Sequence, residues 1–256
     1  MELGLADKCV LVTGGAGGIG EAICRAFADE GASVAVHYHA SEEAAHRIAS
    51  DIGGVAVRAD LTVPSDVDAM FDFVLESLGS LDICVANAGR YPGVDLPIWE
   101  ISPERMRQTI DANLTTTFLT ARRFLSHAAE TTSGALVMIG STAGQFGEAG
   151  SSDYAAAKGA INTGLLLSLK NEAARIGDGV RVNVVAPGWT VTPKRAAEGI
   201  EPDLVAKATS TMARKQLATP DDVARQVVLL ASDVASGHQT GQVVTVAGGM
   251  EGRQVP

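Results

Sequence analysis

The chain has 256 residues, 46% of them hydrophobic but only 4% aromatic, and a formal net charge of −10. That charge argues against nucleic acid, whose phosphate backbone calls for clustered Lys and Arg, and against anionic membrane surfaces. No run approaches the roughly 20 apolar residues of a membrane span, and the start M-E-L-G-L-A-D-K does not read as a secretory signal.

In chain order, short valine-rich apolar runs at 9–13, 33–38, 54–59, 81–86, 135–139, 180–185 and 242–246 read as strands buried on both faces. Helical patterns at 19–30, 42–51, 64–78, 103–129, 152–175 and 220–232 alternate with them. Strand, helix, strand throughout predicts an α/β fold: one doubly wound domain over 1–256, its seven-stranded parallel sheet covered by helices on both faces. Residues 188–217 break the rhythm, being too long for a plain connection, and are expected to form a lid over a substrate pocket. Cys9, Cys24 and Cys84 fall inside these elements and fit buried, reduced thiols of a cytoplasmic protein; no Cys or His spacing suggests a metal site.

Two stretches carry chemistry. The first strand runs into T-G-G-A-G-G-I-G at 13–20, which opens directly into a helix. Such glycines let the backbone turn tightly against a pyrophosphate whose charge meets the helix N-terminus. The second stretch, S-T-A-G-Q-F-G-E-A-G-S-S-D-Y-A-A-A-K at 141–158, puts Tyr154 and Lys158 four residues apart on one helical face. A free tyrosine titrates near ~10, and a nearby ammonium favours the phenolate, so Lys158 is expected to pull Tyr154 down into the working range of a proton carrier. Ser141 follows a buried apolar run and presents a hydroxyl where a strand leaves the sheet. Arg90, Tyr91, Gln145, Phe146 and Trp189 fall in loops beyond strand ends and are candidate pocket residues.

With both motifs the chain resembles the classical short-chain dehydrogenase/reductase family over essentially its whole length, which implies a Rossmann-type fold. The glycine spacing matches at Thr13, Gly14, Gly18, Ile19 and Gly20. Asp60 and Leu61 resemble the family's adenine contact, and Asn87-Ala88-Gly89 is similar to its N-N-A-G signature, with Ala86 in place of the first Asn. Asn113 in D-A-N-L resembles the fourth catalytic residue, and Pro187, Gly188 and Thr192 the segment that grips the nicotinamide amide. The resemblance implies that Tyr154 exchanges the proton with the substrate oxygen while Ser141 hydrogen-bonds it. It further implies that Lys158 lowers the Tyr154 pKa and binds the nicotinamide ribose, and that Asn113 holds a water joining Lys158 to solvent.

The expected activity is hydride transfer between a nicotinamide dinucleotide and a small ketone or secondary alcohol. The layout also resembles 3-oxoacyl-acyl-carrier-protein reductases and glucose dehydrogenases. Arg122 and Arg123 could meet an acidic carrier protein, but the overall charge opposes it. A dinucleotide-sensing protein without chemistry is the reading from another class, although a sensor need not keep Ser141, Tyr154, Lys158 and Asn113 together. The end of the second strand, V-A-V-H-Y-H-A-S at 34–41, favours NADP(H), with NAD(H) or dual use the runner-up. His37 stands where an NAD enzyme has its acid, and His39 where the arginine of NADP-accepting relatives is found, so the choice between dinucleotides would vary with pH. Finally, the resemblance implies a homotetramer in which helices at 106–128 and 152–175 pair between subunits, with Ala155, Ala156, Ala157, Gly159 and Ala160 permitting close approach.

Overall fold

A computed structural model describes residues 2–199 and 201–250. Seven parallel strands form one sheet in the order β3-β2-β1-β4-β5-β6-β7, where β1 is Cys9–Val12, β2 Ser33–Tyr38, β3 Val55–Arg58, β4 Ile83–Ala86, β5 Ser133–Ile139, β6 Gly179–Pro187 and β7 Val243–Val246. The central strands are buried along their lengths because helices cover both faces. The outermost strands β3 and β7 keep partly exposed positions, which corrects the expectation of burial on both faces throughout.

On the first half of the chain α1 (Gly18–Asp29), α2 (Glu42–Ile52) and α3 (Pro64–Leu78) return each strand to the next. The chain then reverses direction across the sheet, passing from β3 at one edge to β4 beside β1. Such a switch point opens a crevice at the carboxyl ends of β1 and β4. Two hydrophobic layers flank the sheet, one built around Ile23, Phe27 and Val227, the other around Phe71, Phe124 and Ile161.

Two long helices are each interrupted. The first comprises α4 (Pro103–Ile110), a π-helical turn at Asp111–Thr115, and α5 (Thr116–Thr131). After the short α6 (Ala143–Phe146), the second comprises α7 (Ser152–Ala160), a π-helical turn at Ile161–Leu165, and α8 (Leu166–Ala173). Turns of this kind recur at functional sites, since the extra residue redirects the groups beside it.

The segment expected to form a lid holds α9 (Pro193–Glu198) and α10 (Pro202–Thr209), with Ile200 outside the described residues. Its ends are tied together by hydrogen bonds from Val191 N–H to the Ala218 carbonyl at 2.9 Å and from Ala218 N–H to the Trp189 carbonyl at 3.0 Å. The chain closes with α11 (Pro220–Ala231), which opens on a reciprocal cap between Thr219 and Asp222, then α12 (Asp233–Ser236) and β7. The three cysteines are free and buried. Among the described residues no helix is long and apolar enough to cross a membrane, and no group of three or more His, Cys, Asp and Glu side chains is placed to hold a metal.

Candidate active site

A cleft of ≈790 Å³ lies over the carboxyl ends of the central strands. Its floor begins with the glycine-rich loop. Gly14 adopts φ 63°, a left-handed conformation that costs a side chain but not a glycine. Thr13, 1% exposed, ties this loop to the next strand: its hydroxyl donates to the Val85 carbonyl and accepts from Asn87 and Ala88 N–H at 2.9 and 3.0 Å. The Asn87 amide donates back to the Thr13 carbonyl at 2.8 Å and the Gly14 carbonyl at 3.2 Å. Gly14, Gly18, Ile19 and Gly20 therefore share one wall with Asn87, Ala88 and Gly89. A preformed, glycine-lined cradle at the start of α1 fits the pyrophosphate of a dinucleotide.

Ser141, Tyr154, Lys158 and Asn113 line the same cleft, together with Pro187, Gly188 and Thr192 from the end of β6 onward. Ser141 Oγ accepts from Ala143 N–H at 3.1 Å, and its hydroxyl bonds the Tyr154 phenol. Lys158, only 4% exposed, donates from Nζ to the Ile139 carbonyl at 2.8 Å, and Nζ lies 5.9 Å from the Tyr154 ring centre. Burial brings the lysine down to about 8. Burial also raises Tyr154, with the Glu148 carboxylate adding to the rise and a Ser141 hydrogen bond opposing it. This direction is opposite to the expected depression, because desolvation of the phenol is the largest effect on it.

Asn113 is fully buried in the first π-helical turn. Its amide donates to the carbonyls of Arg90 and Thr109 at 3.0 and 2.9 Å and accepts from Arg90 N–H at 3.1 Å. The side chain is thus a brace for the loop after β4. The brace also sits close to Lys158: a Cβ on Gly89 would lie 2.7 Å from Asn113 Oδ1 and 3.4 Å from Lys158 Nζ, so this position requires glycine.

The remaining expected contacts lie apart from the cleft's lining. His37 is 2% exposed and supports the glycine loop from within the sheet rather than facing a ligand. Gly14 N–H donates to its Nδ1 at 2.9 Å, and Nε2 stands 3.2 Å from the Ala59 carbonyl. His39 is exposed at the end of β2, with Nε2 3.9 Å from Asp60 Oδ2. Asp60 Oδ1 accepts from the Thr62 hydroxyl and N–H, which holds its carboxyl below the usual range, and Leu61 is buried. Of the pocket candidates, Arg90, Tyr91 and Trp189 line the cleft. Gln145 instead bonds Thr245 Oγ1, and Phe146 is exposed outside the lining.

Two acidic residues at the substrate end, Asp95 and Glu148, were not singled out by sequence. Tyr91 joins Asp95 to Tyr154: its hydroxyl accepts from Ser151 Oγ at 2.9 Å and donates to Asp95 at 2.8 Å, while its ring meets Tyr154 edge-on at 5.2 Å.

Residues 14–251 match the family described as enoyl-(acyl carrier protein) reductase. The chain is 36% identical over 251 residues to the cis-4-hydroxycyclohexanecarboxylate dehydrogenase of Sinomonas cyclohexanicum, covering 95% of this chain and 96% of that protein. It is 32% identical over 248 residues to a 3-oxoacyl-(acyl-carrier-protein) reductase of Staphylococcus aureus, covering 95% and 98%. Among solved structures, a 7α-hydroxysteroid dehydrogenase complexed with NADH and 7-oxo glycochenodeoxycholic acid superposes with a TM-score of 0.87 at 28% identity, over 99% of this chain and 98% of that one. With its glycine cradle and Ser141, Tyr154 and Lys158 gathered in one cleft, the chain belongs to the short-chain dehydrogenase/reductase family, as an NAD(P)-dependent oxidoreductase acting on CH–OH and C=O groups.

Proposed function

We propose that the protein reduces the carbonyl of a small, neutral or weakly charged molecule, or oxidises the matching secondary alcohol, with Tyr154 exchanging the proton. The observation that carries this reading is the convergence of Ser141, Tyr154 and Lys158 on the cleft into which the glycine loop opens. When bound, the dinucleotide supplies or takes up the hydride. Ser141 hydrogen-bonds the substrate oxygen and fixes its direction. Tyr154, held in the phenol form by burial, gives that oxygen its proton. As the proton leaves, negative charge develops on Tyr154 within reach of the Lys158 ammonium, which stabilises it in a water-poor site. Lys158 also has donors left for a ribose hydroxyl beyond its bond to Ile139.

NADP(H) is the proposed partner. Residues 37–41 hold no carboxylate to bind a ribose 2′-hydroxyl or repel a 2′-phosphate. Instead the exposed His39 stands beside Arg58, whose Nε donates to the His39 carbonyl at 3.4 Å. The segment 188–217 is proposed as the substrate lid, because Trp189, Val191, Val205 and Leu217 line the cleft from that side. A small molecule is favoured over an acyl carrier protein. Arg123, one of two arginines that could have formed a basic landing patch, is paired with Asp72 at 3.0 Å and Asp68 at 3.6 Å. Three free, buried thiols suit a cytoplasmic enzyme.

The test is turnover of NADPH and NADH against a panel of cyclic and open-chain ketones, read by loss of reduced-nicotinamide absorbance. Consumption with at least one ketone, faster with NADPH, is expected. Dinucleotide binding without consumption of any ketone would favour a sensor, and faster turnover with NADH would overturn the cofactor assignment.

A further inference from the structure

The charged pair with the least exposed carboxylate among the described ion pairs stands beside the catalytic tyrosine, yet the reaction scheme above does not use it. Asp153, in the first turn of α7, immediately precedes Tyr154, and its side chain is 1% exposed. Arg105, in the first turn of α4, reaches it from another helix with its own side chain 17% exposed. Arg105 Nε donates to Asp153 Oδ2 at 3.0 Å and an Nη donates to Oδ1 at 3.4 Å. The Thr109 hydroxyl donates to the same Oδ2 at 2.8 Å, so the carboxylate is held from two points on α4.

The guanidinium does more than neutralise Asp153. Its other donors reach the Val94 carbonyl at 2.8 Å and the Gly150 carbonyl at 3.4 Å. Val94 belongs to the loop after β4, and Gly150 to the loop before α7. These loops also meet directly, where Leu96 N–H donates to the Gly150 carbonyl at 2.8 Å. The loop after β4 carries Tyr91, whose ring abuts Tyr154 and whose hydroxyl bonds Ser151. Three chain segments that bound the tyrosine are therefore gathered by one planar group.

We propose that Arg105 is a positioning residue: by gripping Asp153, Val94 and Gly150 together it fixes where the Tyr154 hydroxyl stands relative to Ser141. The claim rests on the reading of Tyr154 as the proton carrier, but it makes a structural statement of its own. The planar fork matters because its donors leave in fixed, divergent directions, so it serves a carboxylate and two carbonyls at once. A lysine in its place keeps the charge opposite Asp153 but presents a single nitrogen, too compact to hold all three segments.

Three variants separate positioning from mere charge compensation. Arg105→Lys keeps Asp153 paired. Arg105→Met leaves a buried carboxylate without its cation and is expected to melt early, whereas the double variant Arg105→Met with Asp153→Asn removes both charges and is expected to recover much of that loss. Positioning predicts that Arg105→Lys and the double variant bind dinucleotide as the wild type does but lose roughly ten- to a hundredfold in kcat, since small displacements of a reacting group are costly. Recovery of kcat together with melting temperature in the double variant would overturn the proposal. So would a crystal structure of Arg105→Lys with the Tyr154 hydroxyl in its original place beside Ser141, whatever ketone the wild type turns over. A wild type that turns over no ketone would instead count against the assignment of Tyr154.

Discussion

Tyr154 and Lys158 stand one helical turn apart, and from that spacing a lysine that draws the tyrosine toward ionisation is the natural expectation. The folded chain buries Lys158 and partly buries Tyr154, and desolvation acts on each in the direction of its neutral form. On the proposed reading, this keeps the tyrosine a proton donor for carbonyl reduction. The same force governs His37, which sequence marks only as a residue near a dinucleotide. Because Nδ1 accepts from Gly14 N–H, the ring proton sits on Nε2 facing the Ala59 carbonyl, and burial lowers the group to about 4. Between that value and roughly 6.5 the unfolded chain takes up a proton that the folded chain refuses. The stability contributed by neutral His37 is thus complete above about pH 6.5 and is lost as pH falls toward about 4, by ~3 kcal/mol at most. Denaturant midpoints of the wild type and His37→Asn, compared at about pH 7.5 and pH 4.5, should show the wild type losing more with acid; parallel losses would contradict this. Asparagine still offers an oxygen to Gly14 but does not titrate. Nothing in the sequence pairs His37 with Gly14, or Arg105 with Asp153, because those partners meet only after the sheet and the two long helices have formed.

At the scale of elements, the strands were legible because each is a short valine-rich run between turn residues, and all seven are present in one parallel sheet. The edge strands β3 and β7 carry similar composition to the centre, so their partial exposure follows from position in the sheet rather than from residue type. The long helices were legible as helices but not as interrupted ones. A π-helical turn adds one residue to a turn, and the apolar pattern of 3.6 residues tolerates that shift. Its consequence is local: within Asp111–Thr115 the Asn113 carbonyl accepts from the Thr117 hydroxyl at 2.7 Å while its side chain braces Arg90. The family motif D-A-N-L identified the residue, but the spacing of apolar residues could not reveal what its amide bonds. The segment 188–217 stood out through its length, and it holds α9 and α10.

At the scale of the whole molecule, the faces left over after the sheet is covered bear on assembly. Met106 on α4, Phe118 on α5 and Leu167 on α8 are exposed apolar residues on the two long helices. Ala155, Ala156, Gly159 and Ala160 are at least partly accessible on α7, whereas Ala157 packs in the chain's own core and leaves the expected contact stripe. We propose that these helices pair between copies in a homotetramer. Light scattering at micromolar concentration should give about four times the 26.3 kDa chain mass, and a stable species of 26.3 kDa would end that proposal, because an interface of this kind buries well over about 1,000 Å².

Hydride transfer with Tyr154 as the proton carrier is tested most directly by Tyr154→Phe, which keeps the ring against Tyr91 and removes only the transferable proton. On a ketone that the wild type reduces, the variant should bind the dinucleotide with unchanged affinity while kcat falls by roughly 10²–10⁴. A variant that retained kcat within about tenfold of the wild type would contradict the account.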